Sequence, residues 1–268
     1  MSSKPLLLVE KEGYTVTVSL NRPEKRNALN TAMFEAIDDV FTSLQSNRHI
    51  RMVFVKGCQH NNREIFSSGI DVVELGQAVQ ESNLTTIKHF QTIAQNSFNK
   101  VEKIEKPTIA LIDGYAYGAG LELALACDFR VMTENAKVGL LETALGVIPD
   151  LGGTTRLVRM LGTSVARKII MFAEKWSAQK ALKYDLVDWV VPEGELLAKA
   201  NELSHRLLRN APLALGIAKR LIDQVYGLDL DRALLLEKLA QLELLKSEDT
   251  IEAFMANMEN REPNFKSV

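Results

Sequence analysis

The stretch "DGYAYGAGLELALACDFRV", residues Asp113 to Val131, decides how this chain is read. It sets a cluster of small residues, Gly118-Ala119-Gly120, just before a single carboxylate, Glu122, in an otherwise apolar run. An ionised carboxylate in such surroundings is unfavourable unless it is paired or hydrogen-bonded, and otherwise it takes up a proton. The small residues have two uses. They let a helix pack close to a sheet, or they let a ligand's polar oxygen approach backbone N–H groups at a helix start. A dinucleotide-binding fingerprint does not fit, because Leu123 stands where the third glycine or alanine is required.

Outward from this stretch lies a second one, "VGLLETALGVIPDLGGTTRLVRMLG", residues 138–162. Glu142 stands among apolar neighbours, and Asp150 precedes Gly152-Gly153 at the entry to a predicted helix. Taken singly, Asp150 reads as an N-cap and Glu142 as a strand-end residue reaching solvent. Taken with Glu122, they are carboxylates in separate apolar segments beside glycine-rich turns. Such pairs divide acid and base roles, because desolvation and mutual repulsion push their proton affinities apart. A third stretch, "IFSSGIDVVEL" at 65–75, has a Ser68-Gly69 turn without the G-x-S-x-G context of a nucleophile elbow. His49, His60, His89 and His205 form no recognisable dyad or metal spacing.

Elsewhere the pattern is α/β. "GYTVTVSLN" alternates with Val16, Val18 and Leu20 on one face, and "NRPEKRNALN" follows as a turn-rich loop. Asn30 is the predicted N-cap of a helix with Met33, Ala36, Ile37, Val40, Phe41 and Leu44 at helical spacing. "RMVFVKG", "KPTIALIDGY" and "CDFRVMT" read as strands, a helix fills much of 84–105, and 72–90 reads as a loop. Past about 195 only helical patterns occur. One of them carries Leu234, Leu235, Leu236, Leu239, Leu242, Leu244 and Leu245 on more than one stripe, so it requires cover on several sides.

The bulk properties exclude several classes. A length of 268 residues, 46% hydrophobic and 25% charged, is that of an ordinary globular protein with a sizeable core. A net charge of -2 gives no electrostatic case for nucleic acid or an anionic membrane as the main partner. The start "MSSKPLLLVEKEG" has too short an apolar run for a signal peptide, and no apolar stretch reaches bilayer-spanning length. The terminal Lys266-Ser267-Val268 is not a peroxisomal address. Cys58 and Cys127 suggest neither a disulfide framework nor a metal knuckle, and fit a reducing, cytoplasmic compartment.

Together "NRPEKRNALN" (21–30), "FSSGID" (66–71), "KPTIALIDGYAYGAGLELALACD" (106–128), "LETALGVIPDLGGTTRL" (141–157) and "REPNF" (261–265) resemble the crotonase superfamily of enoyl-CoA hydratases and isomerases, in family order. The resemblance implies an α/β crotonase-like ββα superhelix over 1–195, carrying acyl-CoA binding and catalysis. It implies a helical C-terminal region over 196–268 that builds homotrimers, often paired into hexamers. It implies that Lys25, Arg26, Ala28 and Leu29 wrap the CoA, with Ser68, Gly69, Asp71 and Gly118 lining the same binding region. The N–H groups of Ile70 and Ala119 would form an oxyanion hole for the thioester carbonyl. Many relatives carry glycine at the position of Ala119, and alanine keeps the N–H.

In the family's hydratases the residue matching Glu122 activates water, and the residue matching Glu142 exchanges the α-proton. No metal or separate cofactor is implied, since coenzyme A arrives with the substrate, and the role is one in fatty-acid β-oxidation. Asp150 departs from the pattern: hydratases typically carry glycine there, whereas dienoyl-CoA isomerases carry aspartate. The resemblance therefore implies hydration first, an enoyl- or dienoyl-CoA isomerase using Glu142 and Asp150 second, and another acyl-CoA reaction of the superfamily third. Non-enzymatic relatives bind RNA through a lysine-rich first helix, where this chain has Glu35, Asp38 and Asp39, or keep the fold without catalysis.

Overall fold

The computed structural model describes residues 4–60, 63–81 and 83–267. The first three residues and the terminal valine, which entered the targeting arguments, lie outside them, as does the tip of the polar loop at 61–62.

Strands β1 (Leu7–Glu12) and β2 (Thr15–Leu20) pair antiparallel. Val16, Val18 and Leu20 are buried, as their alternation requires. Helix α1 (Thr31–Ser46) starts at Asn30, whose side chain accepts from the Met33 N–H at 3.1 Å. It buries Met33, Phe34, Ile37, Phe41 and Leu44. Strand β3 (Met52–Gly57) leads to a small hairpin, β4 (Gln59–His60) with β5 (Arg63–Glu64). The expected loop over 72–90 is instead two helices, α2 (Val72–Gln80) and α3 (Leu84–Lys103). Asp71 caps the first and Asn83 the second, so the short polar break between them conceals the helical start.

The chain then winds in a repeat. It runs through β6 (Thr108–Ile112), β7 (Tyr115–Tyr117) and α4 (Ala119–Leu125), and next through β8 (Phe129–Thr133), β9 (Lys137–Gly139) and α5 (Gly153–Met171). A third pass adds β10 (Trp176–Ser177), α6 (Ala178–Lys183) and β11 (Trp189–Val191). The first strands of the first two passes, β6 and β8, and the closing strand of the third, β11, enter a six-stranded sheet of order β1-β2-β3-β6-β8-β11, parallel from β2 onward. The remaining strands, β7, β9 and β10, form a smaller sheet of order β10-β9-β7. Single bridges, Ser67 to Ala116 and Leu29 to Ile70, carry this second layer toward the earlier loops. This is the ββα superhelix the motifs implied.

Both faces of the large sheet are buried, which is why its strands read as continuous apolar runs. Val53, Val55, Ala110 and Ile112 face the main core. Met52, Phe54, Ile109 and Leu111 face the other way, against Leu196, Ala200 and Leu203 of α7 (Leu196–Leu208). The first helix past 195 thus covers the sheet like any core element. The helices α8 (Pro212–Val225), α9 (Leu230–Leu244) and α10 (Glu248–Met258) follow. The "REPNF" tail returns to the core, where the Phe265 side chain is buried and its carbonyl accepts from Arg51. Among the described residues, no helix is long and apolar enough to cross a membrane.

Candidate active site

Three segments converge around Gly118. The loop 21–30 is anchored by Asn27, fully buried, whose Nδ2 donates to the carbonyls of Cys58 (3.1 Å) and Ile65 (2.7 Å). The Ser67 hydroxyl donates to the Asn27 carbonyl at 2.8 Å and accepts from the Gly69 N–H at 3.1 Å. Lys25 and Arg26 are exposed at the rim, while Ala28 and Leu29 are buried beneath it. Ser68 is half-buried, and its N–H donates to the Arg26 carbonyl at 3.0 Å. The Asp71 carboxylate faces the scaffold, paired with Arg22 at 2.8 Å and accepting from the Val73 N–H. Burial alone would raise its carboxyl, but these partners outweigh burial and hold it below the ordinary range.

Main-chain geometry sets the direction of the Ile70 N–H. Leu29 donates to the Gly69 carbonyl and accepts from the Asp71 N–H, both at 2.8 Å. In such a parallel bridge the intervening Ile70 turns its own N–H to the opposite side. Gly69, at φ +103°, lies against the next segment: a Cβ there would come 2.9 Å from the Tyr117 carbonyl and 3.8 Å from the Ala119 N. Gly118, at φ +50°, immediately precedes α4, and a Cβ there would meet Glu142 Oε1 at 3.0 Å. The glycine cluster therefore serves close approach of three chains, with Ala119 buried at the helix start.

Glu122 is 1% exposed. Its Oε1 accepts from the N–H groups of Gly153 (2.8 Å) and Leu151 (3.1 Å). Burial, the Glu142 charge and, more weakly, Asp150 push its carboxyl up to about 8, against those two N–H donors. Glu142 opens a 3₁₀ turn, Glu142–Leu145, rather than ending a strand. Its Oε2 is buried without a hydrogen-bond partner among the described residues, and burial with the Asp150 charge raises it to about 7. Asp150 is not the N-cap of α5: Gly152, at φ +107°, occupies that position. The Asp150 carboxylate instead accepts from Gln91 Nε2 at 2.5 Å, and its charge acts on both glutamates.

Two acids that resist ionising, each beside a glycine-rich turn, make a candidate site for proton transfer. The chain belongs to the enoyl-CoA hydratase/isomerase family, whose model matches residues 10–268. It is 34% identical over 255 residues to a short-chain-enoyl-CoA hydratase of Clostridium acetobutylicum, covering 95% of each chain. It is also 34% identical to the 2,3-dehydroadipyl-CoA hydratase of Escherichia coli, over 97% of this chain and 98% of that one. A crystal structure of an enoyl-CoA hydratase from Bacillus anthracis superposes with a TM-score of 0.92 at 34% identity, covering 98% of this chain and all of that one.

Sequence reasoning missed Asn27, which pins the first loop, and Arg156, which is buried and donates to the Leu151 carbonyl at 3.1 Å. An arginine in the first turn of an otherwise apolar helix face was the available signal for the second.

Proposed function

We propose that this protein hydrates enoyl-CoA thioesters, with Glu122 and Glu142 as its acid–base pair. The observation that carries this is the pair itself: Glu122, buried with its Oε1 on the Leu151 and Gly153 N–H groups, and Glu142, half-buried over Gly118 with an unpartnered buried Oε2, both held above the ordinary carboxyl range by burial. Near neutral pH the pair holds about one proton, which is what water addition requires. One carboxylate takes a proton from water as the water oxygen bonds to the β carbon. The π electrons move through the α carbon onto the thioester oxygen, and the other carboxyl delivers a proton to the α carbon. The sum is one water added. Ile70 and Ala119 are the proposed N–H donors to the thioester oxygen, worth roughly 3–4 kcal/mol each by analogy with other oxyanion holes.

Lys25 and Arg26 at the rim suit the CoA phosphates, and Ala28, Leu29, Ser68, Gly69 and Gly118 suit its pantetheine arm. Asp71 supports that loop through Arg22. No separate cofactor enters this scheme, and a β-oxidation step in a reducing cytoplasm is compatible with free Cys58 and Cys127. The exposed leucines of α9 fit burial against further copies of the chain, so the working form is proposed to be a homotrimer or homohexamer. We assign the catalytic core to the ββα passes together with α7, and oligomerisation to the helices after it. The test is mass spectrometry of crotonyl-CoA after incubation: a gain of one water supports hydration, and an unchanged mass overturns it. A dienoyl-CoA substrate isomerised without mass change would favour the Asp150-based alternative.

A further inference from the structure

The turn 149–153 supplies both N–H groups that bind Glu122. Its Pro149 carbonyl accepts from the Thr154 hydroxyl of α5 (3.0 Å), and among the described residues the side chains bracing its next two carbonyls and its carboxylate lead back to α3. Gln91 Nε2 donates to the Asp150 carboxylate (2.5 Å) and Gln95 Nε2 to the Asp150 carbonyl (2.6 Å). Arg156 Nη1 donates to the Leu151 carbonyl, while its Nη2 donates to Asn99 (2.9 Å) and Glu102 (2.8 Å). Residues 91, 95, 99 and 102 stand at i, i+4, i+8 and i+11, a single stripe along one helix face. The stripe one residue earlier, Phe90, Ala94, Phe98 and Val101, is buried in the main core and fixes the helix.

Two glycines record how tightly the parts meet. A Cβ on Gly152 would fall 2.0 Å from Arg156 Nη1, and one on Gly153 would fall 2.6 Å from Glu122 Oε1. The guanidinium, the turn and the catalytic carboxylate are thus in successive contact, with no slack between helix α3 and Glu122. We propose that the polar stripe Gln91–Gln95–Asn99–Glu102 is the positioning element of the site, fixing the Glu122 carboxylate through the Asp150–Gly153 turn. It rests on the reading of Glu122 as an acid–base group. In this arrangement the four residues touch no substrate. They act by keeping the Leu151 and Gly153 N–H groups on Oε1, and a displacement of the order of 1 Å in a reacting group is enough to lower turnover by about a hundredfold.

Gln95 is exposed, so its substitution leaves the core intact. In Gln95→Met, kcat for crotonyl-CoA is expected to fall about tenfold with KM changed by less than about twofold, since the lost interaction serves the transition state. The Glu122 carboxyl, followed by carbon-13 NMR of glutamate-labelled protein and assigned with Glu122→Gln, is expected to titrate higher. The two N–H donors favour its ionised form, and loosening them removes that support. Gln95→Lys retains a donor and recovers most of both quantities, and Asn99→Leu gives the same signature through Arg156. The NMR titration stands even if wild-type protein fails to hydrate crotonyl-CoA, a result that would overturn the functional reading and not the positioning. A Glu122 midpoint unmoved in both Gln95→Met and Asn99→Leu overturns the positioning role, whatever the change in thermal stability.

Discussion

Helix α4 buries all seven of its residues, Glu122 among them, whereas α9 buries none of its fifteen. Leu234, Leu235, Leu239 and Leu242 of α9 are 48–55% exposed. The two helices invert the ordinary partition in opposite senses, one hiding an acid and the other displaying leucines. Each raises the free energy of the isolated chain. On the function and assembly proposed above, each is explained by an object outside that chain. The acid would gain its use from a bound thioester, and the leucines from further copies of the chain, where full burial stabilises by about 1.5–3 kcal/mol per side chain.

This comparison can be broken at several points. The largest expected effect is at Glu142: Glu142→Gln should lower kcat by about 10²–10⁴-fold in steady-state assays, as loss of a general acid–base group does. On the other helix, Leu235→Glu with Leu239→Glu should shift sedimentation velocity to smaller species while the far-ultraviolet circular dichroism stays unchanged. Loss of helicity instead would make those leucines part of the subunit's own core. Gly153→Ala drives a methyl into Glu122 Oε1 and should reduce kcat about tenfold, again with little change in KM.

Smaller effects concern pH. Asp150→Gly should retain hydration, at a rate lowered by the lost Gln91 contact, and move the Glu142 limb of the pH–rate profile downward, because the Asp150 charge raises that carboxyl. Collapse of activity in that variant would instead favour the isomerase alternative. The burial of Glu122 also leaves a mark on stability. Its carboxyl titrates at about 8 folded against 4.5 for the unperturbed group, so between these values the folded state binds more protons and stability falls as pH rises. Glu122→Gln should therefore melt above wild type near pH 8, with the gap closing near pH 5, by differential scanning calorimetry.

Much of this was legible in the sequence. Alternation in β2, the Asn30 cap and the helical spacing of α1 need only local rules, and each element stands where those rules put it. The second sheet was not legible, because β7, β9 and β10 are two or three residues long and show no period. Local rules also misplaced two acids. Asp150 has the chemistry of an N-cap, but Gly152 adopts the left-handed backbone that ends the turn, and the carboxylate goes to Gln91. Glu142 reads as a strand end, yet a 3₁₀ turn directs it inward over Gly118. The Gln91–Gln95–Asn99–Glu102 stripe was present as a spacing all along; what made it meaningful was the turn it faces, a contact across more than fifty residues.

The claim that a concealed carboxylate exists for chemistry is tested most directly by the turnover number of Glu122→Gln with saturating crotonyl-CoA. A loss of about 10²–10⁴-fold, with CoA affinity preserved, is the predicted result. Turnover close to that of the wild-type protein would contradict the account.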